Sequence, residues 1–387
     1  MPHYMNEDRE LIRNIAREFA EKEVRPLAAE IDKNETFPIN LFKRCGKLGF
    51  TSINVQEEYG GNGIDLTTFS IVVEEISKEC ATLGMCLIAH AALALPILDV
   101  GGTVEQKKKW LTPLASGEKI VAYCMTEPSG NADPSTWTCT ATKDGNEYVI
   151  NGTKVFCTNI GAADYYIVKA VTGEFDRATG AGNTHFMVEK GTPGFTVGKI
   201  EDKVGWRGSA TGTLYFKNVR VPAENLIGPF NQANTACPQA FYYEMTSAGA
   251  CALGIAEKAF DKTLAYTTAR VVKTGVSFLM NFETMRTRIG EMKMDIEAMK
   301  GFVYNQSTMI DNGEIDMPII MLLKPYCFKT SERVCSVAID LHGGIGVVRE
   351  TGVEKLWRDA KVGMIGGGQY DSLTDRAAFM MGMAMAR

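Results

Sequence analysis

The chain has 387 residues and a formal net charge of −5 without a long basic run, so neither nucleic acid nor a membrane surface is an expected partner. Its ten cysteines form no CxxC pair and its four histidines complete no ligand set, which predicts no metal site and buried, reduced thiols. There is no run of about 18 apolar residues and no apolar signal core at the N-terminus, which predicts a cytoplasmic protein without a transmembrane helix.

The first third of the chain has the period of amphipathic helices. In residues 6–30 apolar side chains recur on one face, and Asn6 is placed to cap the helix. Further helical patterns follow, so a helical domain is predicted over residues 1–120.

The character of the chain changes in the middle. Runs with a period of two lie between turn signals, a hairpin is predicted around Asn151-Gly152, and residues 213–222 are predicted to form a strand. These patterns predict a compact β domain over residues 121–232. The helical period then returns, as in residues 281–303, and predicts a helical domain over 233–387.

Four motifs occur in a fixed order: YCMTEPSGNAD at 123–133, NGTKVFCTN at 151–159, LHGGIG at 341–346 and EKLWRDAKV at 354–362. In this order and spacing they resemble the acyl-CoA dehydrogenase family over essentially the whole chain. The resemblance implies a mainly α fold with a central β-barrel-like domain, an N-terminal helical domain and a C-terminal four-helix bundle. It also implies a homotetramer or a dimer.

The resemblance implies FAD as the cofactor, with contacts carried over by position. Phe156 stands where the family has a tryptophan that stacks on the flavin, and Ala132 stands where a serine lies beside the phosphates. Arg270 matches an arginine that reaches the FAD of a neighbouring subunit, although the following segment, 271–280, differs from the family and is two residues longer. Asp340 replaces a glutamine, and an acid there repels pyrophosphate unless it binds a ribose hydroxyl. The candidate cofactor-binding residues are Tyr123, Met125, Thr126, Ala132, Phe156, Cys157, Thr158, Arg270, Asp340, Gly343, Gly344 and Gln369.

The implied reaction is the α,β-dehydrogenation of an acyl-CoA thioester. A carboxylate takes the α-proton while the β-hydrogen leaves as hydride to flavin N5, and electrons pass to an electron-transfer flavoprotein. Hydrogen bonds from an FAD hydroxyl and a backbone N–H stabilise the charge that develops on the thioester carbonyl. The carboxylate works best when an apolar pocket raises its pKa.

The base common in the family is missing from this chain. Many members carry Tyr-Glu-Gly-Thr after RDAK, whereas the position of that glutamate is Gly367 here. Isovaleryl-CoA and long-chain acyl-CoA dehydrogenases also have glycine there, and their base lies on the first helix of the C-terminal domain. Counting back from Arg270 places Glu244 at that position. The resemblance thus implies Glu244 as the base and the Gly367 N–H as a donor to the thioester carbonyl.

The surroundings of Glu244 leave other interpretations open. A surface glutamate in the first turn of a helix is favoured by the helix dipole alone. Relatives commonly have an arginine next, and Met245 in its place lets the pKa of the glutamate rise. Aromatic residues nearby suit a bulky or aromatic acyl group, or belong to the core or a subunit interface. The candidate substrate-binding residues are Tyr242, Tyr243, Met245, Gly366 and Tyr370.

Three alternatives to the dehydrogenase remain at this point. The same site run backwards is an enoyl-CoA reductase. A non-redox acyl-CoA lyase or desulfinase on the same fold predicts bound FAD that substrate does not bleach. A flavin-free binding or scaffold protein predicts a colourless protein.

Overall fold

A computed structural model describes residues 2–130, 133–273 and 277–385. The N-terminal part is helical, with α1 (Glu7–Phe19), α2 (Arg25–Asn34), α3 (Ile39–Lys47), α4 (Leu66–Leu87), α5 (Leu95–Gly101), α6 (Val104–Gln106) and α7 (Thr112–Ala115). Asn6 caps α1 as predicted, because its side chain accepts a hydrogen bond from the Arg9 N–H. Short stretches of π-helix, which has more residues per turn than the α-helix, link α1 to α2 and α4 to α5.

The central part is an eight-stranded sheet. Its strands are β1 (Val121–Cys124), β2 (Thr140–Asp144), β3 (Glu147–Cys157), β4 (Tyr165–Val171), β5 (Asn183–Glu189), β6 (Phe195–Ile200), β7 (Gly212–Pro222) and β8 (Leu226–Ile227). The order is β6-β7-β3-β2-β4-β5-β8, and β1 pairs with β4 in parallel. The strand predicted over 213–222 is confirmed as β7.

The hairpin predicted around Asn151-Gly152 is wrong. β3 continues through both residues, and the chain reverses at Gly145, where Asp144 pairs with Glu147. The pairing of β3 with β7 shifts register at Gly152, whose φ is +145°. A Cβ there would lie 2.5 Å from the Cα of Cys139, so glycine is required by close packing and a bulge rather than by a turn.

The C-terminal part returns to helices. They are α8 (Pro238–Ala269), α9 (Glu283–Asp311), α10 (Met317–His342), α11 (Val353–Gly363) and α12 (Tyr370–Met385), with two short strands, β9 (Val271–Lys273) and β10 (Ser277–Phe278), between α8 and α9. The helix predicted in 281–303 is confirmed within α9. The element order agrees with the predicted domains, whose boundaries at 120 and 232 stay predictions.

The long helix α8 packs against α4 and α10 in the main hydrophobic core. The close approach of α8 to these two helices depends on glycine residues of α8. At Gly249 a Cβ would run into the Leu323 side chain of α10, and at Gly254 it would run into the Glu74 carbonyl of α4. The position of α8, which carries Glu244, is therefore fixed from both sides.

One helical run in the described residues bears on the prediction that the chain has no transmembrane helix. Leu66–Gly101 is long and apolar enough to cross a membrane by length and composition, but 94% of its most apolar window is buried inside the protein. Burial of this kind is typical of a core helix, so the run is weak evidence for a membrane span.

Candidate active site

The candidate catalytic carboxylate lies beside the three-glycine loop, residues 366–368. Glu244 lies in the second turn of α8, and a Cβ placed on Gly367 would lie 2.6 Å from its Oε1 atom. Gly367 has φ +70°, in the left-handed region that favours glycine. A side chain at position 367 and the present position of the Glu244 carboxylate therefore exclude each other.

The environment of Glu244 destabilises the charged form of its carboxyl relative to water. Removal from water raises the pKa of Glu244 to about 7, against the opposing effect of the Lys324 cation. Part of the Glu244 surface stays accessible to solvent. The carboxyl is thus desolvated without being sealed off, as a group that must reach a substrate requires.

Lys324 is the site residue that the sequence analysis missed. It lies on α10, is only 1% exposed, and its Nζ donates a hydrogen bond of 2.6 Å to the Gly368 carbonyl. The sequence held a signal for it, a single charge within the apolar run 317–328, MPIIMLLKPYCF. A lysine in such a run is fully buried only where another group of the protein pairs with its charged amine.

Asp359 of the RDAK motif binds the segment that packs against Gly366 of the three-glycine loop. Asp359 is buried, pairs with Lys355 at 2.5 Å and accepts a hydrogen bond of 2.7 Å from the Trp206 N–H. Through this contact the β6–β7 connection lies against the glycines, and the Trp206 ring would be 3.1 Å from a Cβ on Gly366. Trp206 is a second site residue that the sequence analysis missed, and in its case no sequence pattern marked it.

The candidate substrate residues on α8 do not share one environment. Tyr242 is buried, and its ring meets that of Tyr243 edge-on at 5.5 Å. The hydroxyl of Tyr243 accepts a hydrogen bond of 3.1 Å from Asn54 in the N-terminal part. Met245 is fully buried in the main core. Contact of these side chains with an acyl group stays a prediction.

Tyr370 lies in a different place. It begins α12, and its hydroxyl accepts a hydrogen bond of 3.1 Å from Lys329. It lines a groove of about 770 Å³. Neither Glu244 nor Gly367 is among the described residues that line this groove, and contact of Tyr370 with a substrate stays a prediction.

Several candidate flavin residues meet at the ends of β1 and β3. The Val155 N–H donates a hydrogen bond of 2.8 Å to the Thr126 carbonyl, which joins the first motif to the second. Phe156 is 67% exposed with φ +53°, and presents its ring to solvent. Within the described part of the chain, the half-buried hydroxyls of Thr126 and Thr158 form no side-chain hydrogen bond. An uncovered aromatic ring beside two free hydroxyls fits an isoalloxazine ring.

The side chains of two other candidates in these motifs are already hydrogen-bonded within the chain, and their contact with the flavin stays a prediction. The Tyr123 hydroxyl is hydrogen-bonded to His185 at 3.2 Å, and the Cys157 thiol is buried and donates to the Val155 carbonyl. Ala132 lies outside the described residues, so its prediction is not tested.

A buried ion pair holds the turn of the first motif. Lys154 and Glu127 pair at 2.8 Å with both side chains fully buried, and Lys154 also donates to the Met125 carbonyl. The Glu127 carboxylate accepts further hydrogen bonds from the N–H groups of Thr138 and Cys139. Nearly every polar atom of the pair is therefore satisfied, and the backbone at Met125 is fixed.

Replacing Glu127 with glutamine is expected to lower the free energy of unfolding by about 3–5 kcal/mol, because it leaves the Lys154 charge buried without its partner. Urea denaturation measures the change. Arg220→Gln is the matched control, because it breaks the exposed pairs with Asp144 and Glu147 and is expected to cost at most about 1 kcal/mol. Equal losses in the two variants would contradict this account of the turn.

The remaining cofactor candidates lie on the C-terminal helices. Asp340 pairs with Arg288 at 2.6 Å, so its charge is balanced within the chain and the expected repulsion of pyrophosphate is reduced. Gly343 and Gly344 border open space, where a Cβ would meet nothing within 4 Å. Arg270 ends α8 at the surface.

Gln369 is the last of these candidates. It lies in the turn before α12, and its side chain accepts a hydrogen bond from the Ser372 N–H and donates one to Asp371. The implied role of Arg270 toward a neighbouring subunit stays a prediction, and residues 274–276 of the divergent segment lie outside the described residues.

Comparison with known proteins assigns the family. The N-terminal, middle and C-terminal domain models of acyl-CoA dehydrogenase match residues 6–118, 122–219 and 235–379. The chain belongs to the acyl-CoA dehydrogenase family, which makes it a flavin-dependent oxidoreductase with FAD as its cofactor.

Its relatives include a short-chain specific acyl-CoA dehydrogenase of Clostridium acetobutylicum, 38% identical over 94% of each chain. A 3-(aryl)acrylate reductase of Clostridium sporogenes is 33% identical over 93% of this chain and 94% of its own.

Solved structures agree on the fold. Butyryl-CoA dehydrogenase from Megasphaera elsdenii matches with a TM-score of 0.93 and 33% identity over all of both chains. A chain in a structure described as the electron transferring flavoprotein of Acidaminococcus fermentans matches with a TM-score of 0.92 and 34% identity, over 98% of this chain and 99% of that one. The predicted mainly α fold with a central β domain is confirmed.

Proposed function

We propose that the protein dehydrogenates a short-chain acyl-CoA thioester, with Glu244 as the base that removes the α-proton. The observation that carries this proposal is the distance of 2.6 Å between the Glu244 Oε1 and a Cβ on Gly367. The carboxylate of Glu244 lies where a glutamate at position 367 would begin. The family's usual base is thus replaced by one from a different helix, reaching the same region.

Glu244 and Gly367 have different roles in the proposed reaction. Glu244 accepts the α-proton, and its desolvated surroundings bring its pKa near the operating pH, where a base is most effective. The Gly367 N–H donates to the thioester carbonyl in this proposal, which would stabilise the negative charge that forms as the proton leaves. Bound FAD would supply the acceptor for the hydride that leaves the β-carbon. Phe156, Thr126 and Thr158 would hold it.

Two relatives support the choice of substrate. The Clostridium acetobutylicum relative is named as short-chain specific, and the Megasphaera elsdenii structure as a butyryl-CoA dehydrogenase. The similarity to a chain in an electron transferring flavoprotein structure supports such a flavoprotein as the electron acceptor. A homotetramer and a cytoplasmic location stay predictions.

An enoyl-CoA reductase is the second candidate. The relative named 3-(aryl)acrylate reductase and the tyrosines next to Glu244 favour it. Because the reported relatives are dehydrogenases and a reductase, redox chemistry is favoured over the lyase, desulfinase and scaffold alternatives. An anaerobic titration separates the two directions. Bleaching of oxidised flavin by butyryl-CoA supports the dehydrogenase, and reoxidation of reduced flavin only by an aryl-substituted enoyl-CoA supports the reductase.

The rate of flavin reduction is expected to rise with pH through about 7 and then level off. Glu244 acts as a base only when ionised, and its pKa is raised to about 7, so the active fraction grows as the pH rises through that value. Stopped-flow measurement of flavin reduction at saturating acyl-CoA gives the profile. A rate that is flat from acid to neutral pH would contradict the assignment.

A further inference from the structure

Lys324 and Glu244 flank the same glycine from two helices. A Cβ on Gly367 would lie 2.6 Å from the Glu244 Oε1 and 3.5 Å from the Lys324 Cε. Lys324 comes from α10 and Glu244 from α8, and both helices belong to the main core. A buried cation and the proposed base are therefore neighbours across the three-glycine loop.

Lys324 also binds the loop directly. Its Nζ donates to the Gly368 carbonyl at 2.6 Å. Gly367 and Gly368 have φ values of +70° and +109°, and three successive glycines lose more conformational freedom on ordering than any other residues would. A charged donor on a loop carbonyl offsets part of that cost and fixes the direction of the neighbouring peptide groups.

Lys324 is also the cation whose charge acts on the Glu244 carboxyl. The titratable groups that interact with its carboxyl from other elements are Lys324 on α10 and Tyr123 on β1. Burial raises the pKa of Tyr123 further, so this phenol is neutral at neutral pH. Burial lowers the pKa of Lys324 to about 8 and Glu244 opposes that change, so the lysine is still mainly charged at pH 7.

We propose that Lys324 is a positioning residue for the base, one that clamps the loop through the Gly368 carbonyl and holds the Glu244 carboxylate charged beside Gly367. This proposal rests on the proposed function of Glu244. It assigns to Lys324 a second task besides packing: without the cation, the carboxylate would take up a proton at a higher pH and turn from the substrate side.

The test compares Lys324→Met with Lys324→Arg in the FAD-loaded protein. The first readout is the infrared band of the protonated Glu244 carboxyl, identified by its loss in Glu244→Gln and followed against pH. In Lys324→Met we expect the titration to move upward by about one pH unit or more, as loss of a nearby opposite charge requires. In Lys324→Arg it should stay near that of the wild type.

The second readout is the pH profile of flavin reduction. Lys324→Met is expected to reduce flavin at least about fivefold more slowly at pH 7 and to regain part of the rate at higher pH, because a rise of one unit from a pKa of about 7 lowers the ionised fraction at pH 7 from about one half to about one eleventh. Lys293→Met is the control, an exposed lysine on the neighbouring helix α9 that pairs with Glu297. FAD content and melting temperature establish folding, and Lys324→Gln replaces the methionine variant if that one does not fold.

The outcomes separate the two proposals. A folded Lys324→Met protein with an unmoved carboxyl titration and an unchanged pH profile would overturn the role of Lys324 and leave Glu244 as the base. A Glu244→Gln protein that reduces flavin at the wild-type rate would overturn the base itself, and with it the positioning role, even if the infrared titration still showed the two groups to be coupled.

Discussion

Replacing Glu244 with glutamine is expected to slow flavin reduction by a saturated acyl-CoA by about 10²- to 10⁴-fold, the contribution of a positioned general base. Glutamine keeps the shape of the side chain and its place beside Gly367, but it cannot accept the α-proton. FAD content and acyl-CoA binding should change little. Stopped-flow spectroscopy at the flavin absorption band measures the rate, and a fluorescence or calorimetric titration measures binding.

Glu257→Gln is the matched control for this variant. Glu257 lies on the same helix, and its carboxylate pairs with Lys78 at 2.7 Å and Lys300 at 2.5 Å, far along α8 from the glycine loop. Its removal is expected to lower stability, because two half-buried cations lose a partner, and to leave the chemical step intact. A similar loss of rate in both variants would mean that the effect of Glu244→Gln is structural.

Gly367→Ala is expected to lower the rate of flavin reduction by about 10²-fold, although the added group is only a methyl. The new Cβ would lie 2.6 Å from the Glu244 Oε1, closer than such atoms can approach, so the carboxylate must move. A displacement of about 1 Å in a reacting group is enough for a loss of this size. Because the atom that moves is the end of a flexible side chain, the steric cost to stability is small.

Gly313→Ala isolates the backbone contribution. Gly313 has φ +80°, close to the +70° of Gly367, but a Cβ there meets nothing within 4 Å. Both variants should lose about 1–2 kcal/mol of stability from the left-handed backbone. Only Gly367→Ala should lose activity. If Gly367→Ala retained the wild-type rate, the carboxylate next to position 367 would not be the one that acts.

The order of helices, sheet and helices could be predicted from the sequence because side-chain periodicity is a local property. The hairpin at Asn151-Gly152 shows the limit of that reasoning. An Asn-Gly pair has the composition of a tight turn. In the structure, however, Gly152 lies at a β-bulge, where β3 packs closely against Cys139, the residue before β2. Pairing across strands is not encoded in the pair itself. The Asp144-Gly145 pair, which does form the turn, has an equally strong signal.

The candidate site likewise contains one residue that the sequence could place and two that it could not. Glu244 could be placed from the sequence because one helix runs without interruption from it to Arg270, so counting was sufficient. Lys324 and Trp206 could not, because their roles depend on which elements meet. Lys324 donates to Gly368, which lies 44 positions later in the chain, and Trp206 reaches the glycine loop from the β6–β7 connection through Asp359. Tertiary contacts of this kind become visible only in the folded chain.

The most direct test of Glu244 as the base is the exchange of α-hydrogen for deuterium in an acyl-CoA that has no β-hydrogen, such as the thioester of 3,3-dimethylbutyrate. Without a β-hydrogen no hydride can leave, so exchange in deuterated buffer reports proton removal alone, whichever direction the redox reaction takes. Mass spectrometry of the recovered thioester measures it. We predict rapid exchange with the wild-type protein and almost none with Glu244→Gln. Exchange at equal rates with both proteins would contradict the assignment of Glu244 and require a different base.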